Sequence, residues 1–166
     1  MATTPLDGTV FRQVMGHFAT GVAVVTTRLG DTMHGMTANA LTSLSLDPLL
    51  VLVCVDHRAR TKPLLDAAGI FAINLLAEDQ VEVARLFASR EVDVNERLRR
   101  ISYHVAVTGA PIIDGCLAYL DCRVATTYPG GDHTIYVGEV AAAGLDRSEA
   151  RPLLFYRGGY RGIADA

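Results

Sequence analysis

The chain has 166 residues, of which 50% are hydrophobic and 20% charged, and its formal net charge is −3. This length and composition are typical of one folded domain with a buried core, and they exclude an intrinsically disordered chain. The charge balance lacks the basic excess expected of a nucleic-acid or anionic-membrane binder. We therefore expect a single domain over residues 1–166.

The N-terminus and the cysteines bear on the compartment. Residues 1–8 contain no basic region followed by a long apolar run, so no signal peptide is predicted. The longest apolar stretch, Leu49–Val55, is too short to span a membrane. Cys54, Cys116 and Cys122 form no C-x-x-C pair, and their odd number argues against a disulfide scaffold. We expect a soluble cytoplasmic protein with free thiols.

The first third of the chain predicts a helix and then strands. Four apolar residues recur at the spacing of one helical face, which predicts a helix that begins at Asp7 and ends at Gly21. These residues are Phe11, Val14, Met15 and Phe18. Two β-branched runs, Val22–Thr27 and Leu49–Val55, are predicted strands, with the extended stretch Met33–Leu44 between them.

Two short helices and further strands are predicted downstream. The first helix has Thr61 as its N-cap and ends at Gly69, and the second runs from Asp79 to Ala88. The charge-dense segment Glu91–Arg100 is predicted to be a solvated loop or short helix. Strands are predicted at Ile70–Leu76, Ile101–Thr108, Cys116–Thr127, Thr134–Val140 and Pro152–Arg157.

This order of elements predicts the fold class. The strands do not alternate regularly with helices, which argues against a doubly wound parallel sheet. We expect an α+β, mainly β domain, built on an antiparallel barrel with a few short flanking helices. A closed barrel also protects its sheet edges.

Several well-defined site motifs do not occur in the sequence. It contains no G-x-x-x-x-G-K-[ST] phosphate loop and no G-x-G-x-x-G, so a nucleotide would have to be held in another way. It also lacks H-E-x-x-H and G-x-S-x-G, and its five histidines show no metal-ligand spacing. We expect no metal site.

Four stretches carry the polar chemistry that remains. His34–Ser43 mixes small residues with hydroxyl and amide groups, which fits either the edge of a planar ligand or a polar loop. Asp56–Pro63 places two arginines and a lysine at a predicted helix start, where an anion site and a solvated basic turn are both open. Phe87–Arg90 ends in an arginine that is a ligand contact or a surface charge. His133 follows a glycine turn and either completes that turn or borders a cleft.

Taken in order, these segments resemble the flavin reductase family of the FMN-binding split-barrel fold. The similarity covers about residues 10–160, and the whole ordered set is more specific than any single piece. It is carried by Phe11-Arg12, Ala19–Thr27, His34–Ala38, Ser43–Pro48, Gly69–Leu76, Gly131–His133 and Gly138–Val140. The chain is similar to the small reductase components of two-component flavin monooxygenases.

The resemblance implies an NAD(P)H:flavin oxidoreductase in which NADH or NADPH reduces FMN or FAD. It implies a homodimer and a separate flavin-dependent monooxygenase that receives the reduced flavin. His133 is implied beside the nicotinamide as the catalytic residue. The implied flavin contacts are Met36, Thr37, Ala38, Asn39, Ala40, Ser43, Val53, Cys54, Val55, Arg60, Thr61, Phe87, Ala88, Ser89 and Arg90, with Tyr160 near the same cleft.

The sequence departs from the family pattern at three places, and one other class of function remains open. Asn39 stands where a serine is usual, Leu49 replaces a second proline, and Val92–Leu98 lacks the usual phenylalanine, which leaves the loop beyond Arg90 unassigned. The alternative is a non-enzymatic flavin-binding protein that transfers electrons or senses redox state. His133 favours the reductase.

Overall fold

The computed structural model describes residues 7–164. Its helices are α1 Gly8–Met15, α2 Lys62–Ala68, α3 Val81–Ala88 and α4 Val94–Arg97, with 3-10 turns at Glu78–Gln80 and Leu98–Arg100. Its strands are β1 Thr20–Gly21, β2 Ala23–Leu29, β3 Thr32–Ala38, β4 Leu41–Leu46, β5 Leu49–Asp56, β6 Ile70–Leu75, β7 Tyr103–Val105, β8 Pro111–Ile113, β9 Ala118–Gly130, β10 His133–Leu145, β11 Leu154–Tyr156 and β12 Gly159–Arg161.

A seven-stranded antiparallel sheet in the order β3-β2-β6-β9-β10-β5-β4 forms the body of the molecule. Its two edge strands, β3 and β4, are consecutive in the chain and are joined by residues 39 and 40 alone. That link spans at most about 11 Å, whereas six flat strand spacings would separate the edges by roughly 29 Å. The sheet must therefore curl until its edges approach each other. The mainly β, antiparallel barrel with short helices is confirmed.

The inside of the curled sheet is filled by apolar side chains that alternate along the strands. On β5, Val51, Val53 and Val55 point inward and are at most 6% exposed. Phe71 and Tyr136 pack with them in the same cluster. A second cluster lies outside the barrel, where α3 packs through Ala84 and Phe87. The barrel core thus fixes which face of β5 remains available for a ligand.

The first helix differs from its prediction. Asp7 is confirmed as the N-cap, since its carboxylate accepts hydrogen bonds from Thr9 N at 2.7 Å and Val10 N at 2.9 Å. The helix ends at Met15 instead of Gly21, because Thr20–Gly21 pair with β11 as a short strand. Its apolar face is not buried by the described residues, and Phe11, Val14, Met15 and Phe18 are 48–67% exposed.

Two predictions in the second half of the chain are corrected. A strand over Ile101–Thr108 was expected, but only Tyr103–Val105 is extended, because the buried Asp121 carboxylate accepts the Thr108 N–H at 2.7 Å and draws the chain away. The expected solvation of Glu91–Arg100 is wrong in part, since Val94 and Arg97 are buried. In residues 7–164, no helix has the length and apolar character needed to cross a membrane.

Candidate functional site

A cleft of about 550 Å³ lies beside the link between the sheet edges, and its size is typical of small-molecule sites. One wall is β3 with the following link, the second is the end of β5 with the turn into α2, and the third is the end of α3 with the loop after it. The lining residues are Met36, Thr37, Ala38, Asn39, Ala40, Cys54, Asp56, Arg58, Ala59, Arg60, Thr61, Phe87, Ala88, Ser89, Arg90, Arg97 and His133.

The β3 wall is made of small or half-buried side chains held by hydrogen bonds within the protein. Thr37 Oγ1 donates to Ala84 O at 2.6 Å, so its proton is not available to a ligand. Asn39 Nδ2 donates to Thr20 Oγ1 at 3.1 Å. Cys54 N donates to Ala40 O at 2.9 Å and ties this wall to β5. The wall is a fixed surface suited to a flat ring.

The α3 wall packs directly against β3 because residue 35 is glycine. A Cβ placed on Gly35 would lie 2.5 Å from Cε1 of Phe87. Phe87 is 1% exposed, so its ring supports the cleft and is largely covered. Only a residue without a side chain allows this approach of α3 to the sheet.

Basic side chains line the cleft from the β5–α2 wall and from the segment after α3. Arg58, Arg60, Arg90 and Arg97 place four guanidinium groups around the cleft, and of these Arg58 is paired, with Asp56 at 2.8 Å. This hydrogen-bonded pair holds the pKa of Asp56 well below its ordinary value. Such an excess of fixed positive charge favours an anionic ligand, and guanidinium groups match phosphate oxygens well.

Thr61 provides an unpaired hydroxyl at the same place. It occupies the N-cap position of α2, but its side chain caps no helical N–H, which corrects the expected cap. Its Oγ1 is buried and has no hydrogen-bond partner among residues 7–164. Leaving a buried hydroxyl unpaired costs about 1–3 kcal/mol, so a ligand oxygen at this point would be stabilised.

The start of α2 itself offers little to an anion. Lys62 N already donates to Ala59 O at 3.0 Å, and Pro63 has no N–H. The predicted anion site therefore depends on the arginine side chains and the Thr61 hydroxyl, and less on helix amides than the sequence indicated.

His133 lies at the mouth of the cleft as the first residue of β10. It pairs in register with Asp56, and its Nδ1 lies 2.7 Å from Oδ1 of Asp132. The imidazole lowers the pKa of Asp132 through this bond. With the shared proton on Nδ1, the other ring nitrogen, Nε2, is left to interact with a ligand. The preceding turn requires glycine at residue 131, where φ is +70°.

Four predicted contacts do not line the cleft. Val53 and Val55 are fully buried in the barrel, because side chains alternate along β5 and Cys54 takes the cleft face. Ser43 pairs with Val51, farther along β4 from the cleft. Tyr160 packs against Phe155 with ring centroids 5.7 Å apart and borders a different depression, beside Arg85.

Three residues that line the cleft, Asp56, Ala59 and Arg97, were not predicted to contact a ligand, whereas Arg58 was predicted as one of the two arginines of the anion site. Asp56 and Ala59 belong to the basic stretch, and the two-residue spacing of Cys54, Asp56, Arg58 and Arg60 was the available signal for Asp56. Arg97 carried no signal, because a charge-dense segment is typically solvated. In the part of the chain that the structure describes, no three metal-ligating side chains cluster.

A curled antiparallel barrel with a basic cleft at its open edge defines a protein whose site suits a flat, anionic ligand. Comparison with known families identifies it further. Residues 15–164 match the flavin reductase like domain, and the chain belongs to that family.

Individual relatives cover nearly all of the chain. The reductase subunit HsaB of a flavin-dependent monooxygenase from Mycobacterium tuberculosis is 40% identical over 159 residues, 95% of this chain and 83% of that protein. The reductase component of 4-hydroxyphenylacetate 3-monooxygenase from Thermus thermophilus is 41% identical over 151 residues, 91% and 93% of the two chains. The structure of NADH:FAD oxidoreductase SgcE6 from Streptomyces globisporus, in complex with NAD and FAD fragments, matches with a TM-score of 0.89 at 38% identity and covers 99% and 97% of the two chains.

The three cysteines give a direct test of the cleft. Burial raises the pKa of Cys116 to about 11 and of Cys122 to about 12, so both carry little thiolate near neutral pH. Cys54 is partly exposed in the cleft. We expect a disulfide reagent at pH 8 to modify Cys54 first, and saturating FMN to slow that reaction roughly tenfold by covering the thiol.

Absorbance of the released thiol and peptide mass spectrometry measure both effects. Cys54→Ser is the control and should remove the fast reaction. Earlier modification of Cys116 would contradict the burial described above, and an unchanged Cys54 rate with FMN would place the ligand elsewhere.

Proposed function

We propose that this chain is an NADH-dependent flavin reductase that reduces FMN or FAD and supplies reduced flavin to a flavin-dependent monooxygenase. The observation that carries the proposal is the cleft, which joins a flat wall, a basic wall and His133 at one opening of the barrel. The names of relatives as reductase subunits of monooxygenases support it. They also favour an enzyme over a non-enzymatic electron carrier or redox sensor.

The flavin ring would lie against Met36–Ala40 and Cys54. The side chains there are small or half-buried, and Thr37 Oγ1 and Ala40 O already have partners within the protein, so a planar ring can approach without leaving these two groups unpaired. Phe87–Arg90 would close the opposite side. The fixed β3 wall supplies orientation, and the arginines supply charge.

The flavin phosphate would bind Arg60 and Thr61. The unpaired Thr61 hydroxyl would gain an acceptor, and Arg60 adds a charge-assisted hydrogen bond. Arg60 Nη2 donates to Arg90 O at 3.0 Å, so the same side chain already reaches across the cleft.

His133 would border the nicotinamide. When both cofactors are bound, they supply the chemistry, a hydride transfer from nicotinamide to flavin. The protein holds His133 in place through Asp132, whose backbone oxygen also accepts His57 N at 3.0 Å. The role of His133 would be to orient the nicotinamide against the flavin.

A homodimer accounts for the exposed face of α1. Phe11, Val14 and Phe18 are more than half exposed, as is Leu46 at the β4–β5 turn. Large exposed apolar patches mark interaction surfaces, and homodimer interfaces are richer in such residues than the remaining surface. We propose that a second copy of the chain covers this face. Sedimentation velocity tests the proposal, and a monomer would contradict it.

The free thiols bear on the compartment. Cys54, Cys116 and Cys122 are all unpaired. Free thiols persist in a reducing compartment. We propose a cytoplasmic location, which localisation of a tagged chain would test.

The central test is turnover. Purified protein should oxidise NADH only when FMN or FAD is present, because the chain supplies no redox group beyond its thiols. Absorbance at 340 nm with FMN, FAD and riboflavin in turn, each with NADH and NADPH, measures this. Flavin binding without NADH or NADPH oxidation would favour the electron carrier.

Arg60→Ala tests the phosphate contact. One charge-assisted hydrogen bond contributes about 1.5–3 kcal/mol, so FMN affinity should fall roughly 10- to 100-fold. Riboflavin lacks the phosphate and should bind within about twofold of its original affinity. Fluorescence titration gives both constants, and Arg85→Ala, outside the cleft, serves as the control. Equal losses for both ligands would show that Arg60 acts through its bond to Arg90.

His133→Ala separates the nicotinamide side from the flavin side. Misplacing a reactant can cost about 100-fold in rate, so kcat/KM for NADH should fall roughly tenfold or more while flavin affinity stays within about twofold. Steady-state kinetics and flavin titration measure both. His104→Ala is a matched control, since His104 pairs with Asp114 at the same 2.7 Å outside the cleft. Unchanged NADH kinetics would remove His133 from the site.

A further inference from the structure

Arg97 is a buried cation in a segment whose other charged residues are exposed. Its side chain is 5% exposed, and it forms no salt bridge with any residue between 7 and 164. It donates instead to backbone carbonyl groups. Nη1 donates to Gly35 O at 3.1 Å and Phe87 O at 2.9 Å, and Nη2 donates to Ser89 O and to Val92 O at 3.4 Å.

These four carbonyl groups belong to three segments that form or adjoin the cleft. Gly35 lies on β3, directly before Met36, and Phe87 is in the last turn of α3. Ser89 and Val92 begin and end the loop that carries Arg90, here called the closing loop, residues 89–92. One guanidinium therefore ties the β3 wall, the α3 wall and the closing loop together.

The chemistry of arginine is required for this arrangement. Its planar guanidinium carries five N–H donors in a fixed fork, whereas lysine carries three donors on one atom. The last carbonyl groups of a helix lack intrahelical partners and carry partial negative charge. The hydrogen bonds that Arg97 donates to Phe87 O and Ser89 O offset part of the free-energy cost of burying its charge. Burial lowers the pKa of Arg97, with the charge of Arg60 acting in the same direction.

Little else holds the closing loop. Ser89 Oγ accepts Glu91 N at 3.1 Å and Val92 N at 3.3 Å, but these bonds lie within the loop. Arg60 contacts Arg90 O from across the cleft. Arg90 and Glu91 are exposed, so apolar burial contributes little.

We infer that Arg97 is a positioning residue that holds the closing loop against β3 in the shape that binds the flavin ring. The ligand in this inference rests on the proposed function, whereas the attachment of the loop does not. Arg97 acts on the ring side of the site, unlike Arg60, whose proposed contact is the phosphate.

The first measurement compares riboflavin and FMN binding in Arg97→Lys and Arg97→Gln. Neither side chain can donate to all four carbonyl groups, so both variants should bind both flavins about tenfold or more weakly, by the same factor. The matched controls are Arg99→Lys and Arg99→Gln, because Arg99 is exposed and its ion-pair partner among residues 7–164 is Glu96. The controls should bind as the unaltered protein does.

The second measurement needs no flavin. Trypsin cleavage after Arg90 reports on opening of the closing loop, and cleavage after Arg147, in a remote loop, is the internal reference. In both Arg97 variants the ratio of the Arg90 to the Arg147 rate should rise roughly tenfold, since loop opening controls proteolysis.

Each possible result either supports the inference about Arg97 or overturns it. A loss confined to FMN would make Arg97 a counter-charge for the phosphate and overturn the inference. Wild-type affinities in Arg97→Lys would overturn it too, as would an equal rise at Arg90 and Arg147, which indicates general destabilisation. If Arg97→Gln does not fold, Arg97→Lys supplies both measurements. If the unaltered protein binds no flavin, the proposed function fails, while the cleavage ratio still decides whether Arg97 holds the loop.

Discussion

The two-residue link between β3 and β4 is the constraint on which the rest of the structure depends. Strands at opposite ends of a seven-stranded order can be joined so briefly only if the sheet curls. The curl brings the edges close without pairing them, because no β3–β4 ladder exists among residues 7–164. The cleft lies where this pairing is missing. Asn39 and Ala40 are therefore both the closure of the barrel and part of the cleft lining.

The buried polar groups of the molecule differ in how completely they are hydrogen-bonded. On the outer face of the sheet, under β8, buried Asn74 is fully paired: it donates to Val24 O at 3.0 Å and accepts from Ile113 N at 2.7 Å. At the cleft, the Thr61 hydroxyl and Arg97 Nε lack partners within the described range. An unpaired buried hydroxyl is costly, so Thr61 is the point at the cleft where a ligand oxygen would add a hydrogen bond. The basic side chains around Thr61 favour a negatively charged ligand.

How far the sequence predicts this site depends on the range of each interaction. Cys54 and the start of α2 follow from strand runs and local spacing, and the structure brings them to the cleft. The inward position of Val53 follows from the two-residue period of β5, which the family resemblance did not take into account. Arg97 could not be found in this way. Its partners, Gly35 and Phe87, come from other segments of the chain, whereas local charge density predicts only a solvated surface. The sequence likewise could not predict that the apolar face of α1 is exposed, because its exposure depends on which other segments pack against it.

The cleft has walls of unequal stability, and this bears on a reductase that must release its product. The β3 and β5 walls belong to the barrel, whose ladders and apolar core make local opening costly. The closing loop lacks such support, since a few hydrogen bonds to Arg97 and Arg60 hold it. If the protein adopts its binding-competent conformation only part of the time, its affinity for the ligand is reduced in proportion to the population of that conformation. One rigid wall can therefore fix the orientation of the flavin while the closing loop sets how long it stays. This combination suits a flavin that is passed on to another enzyme.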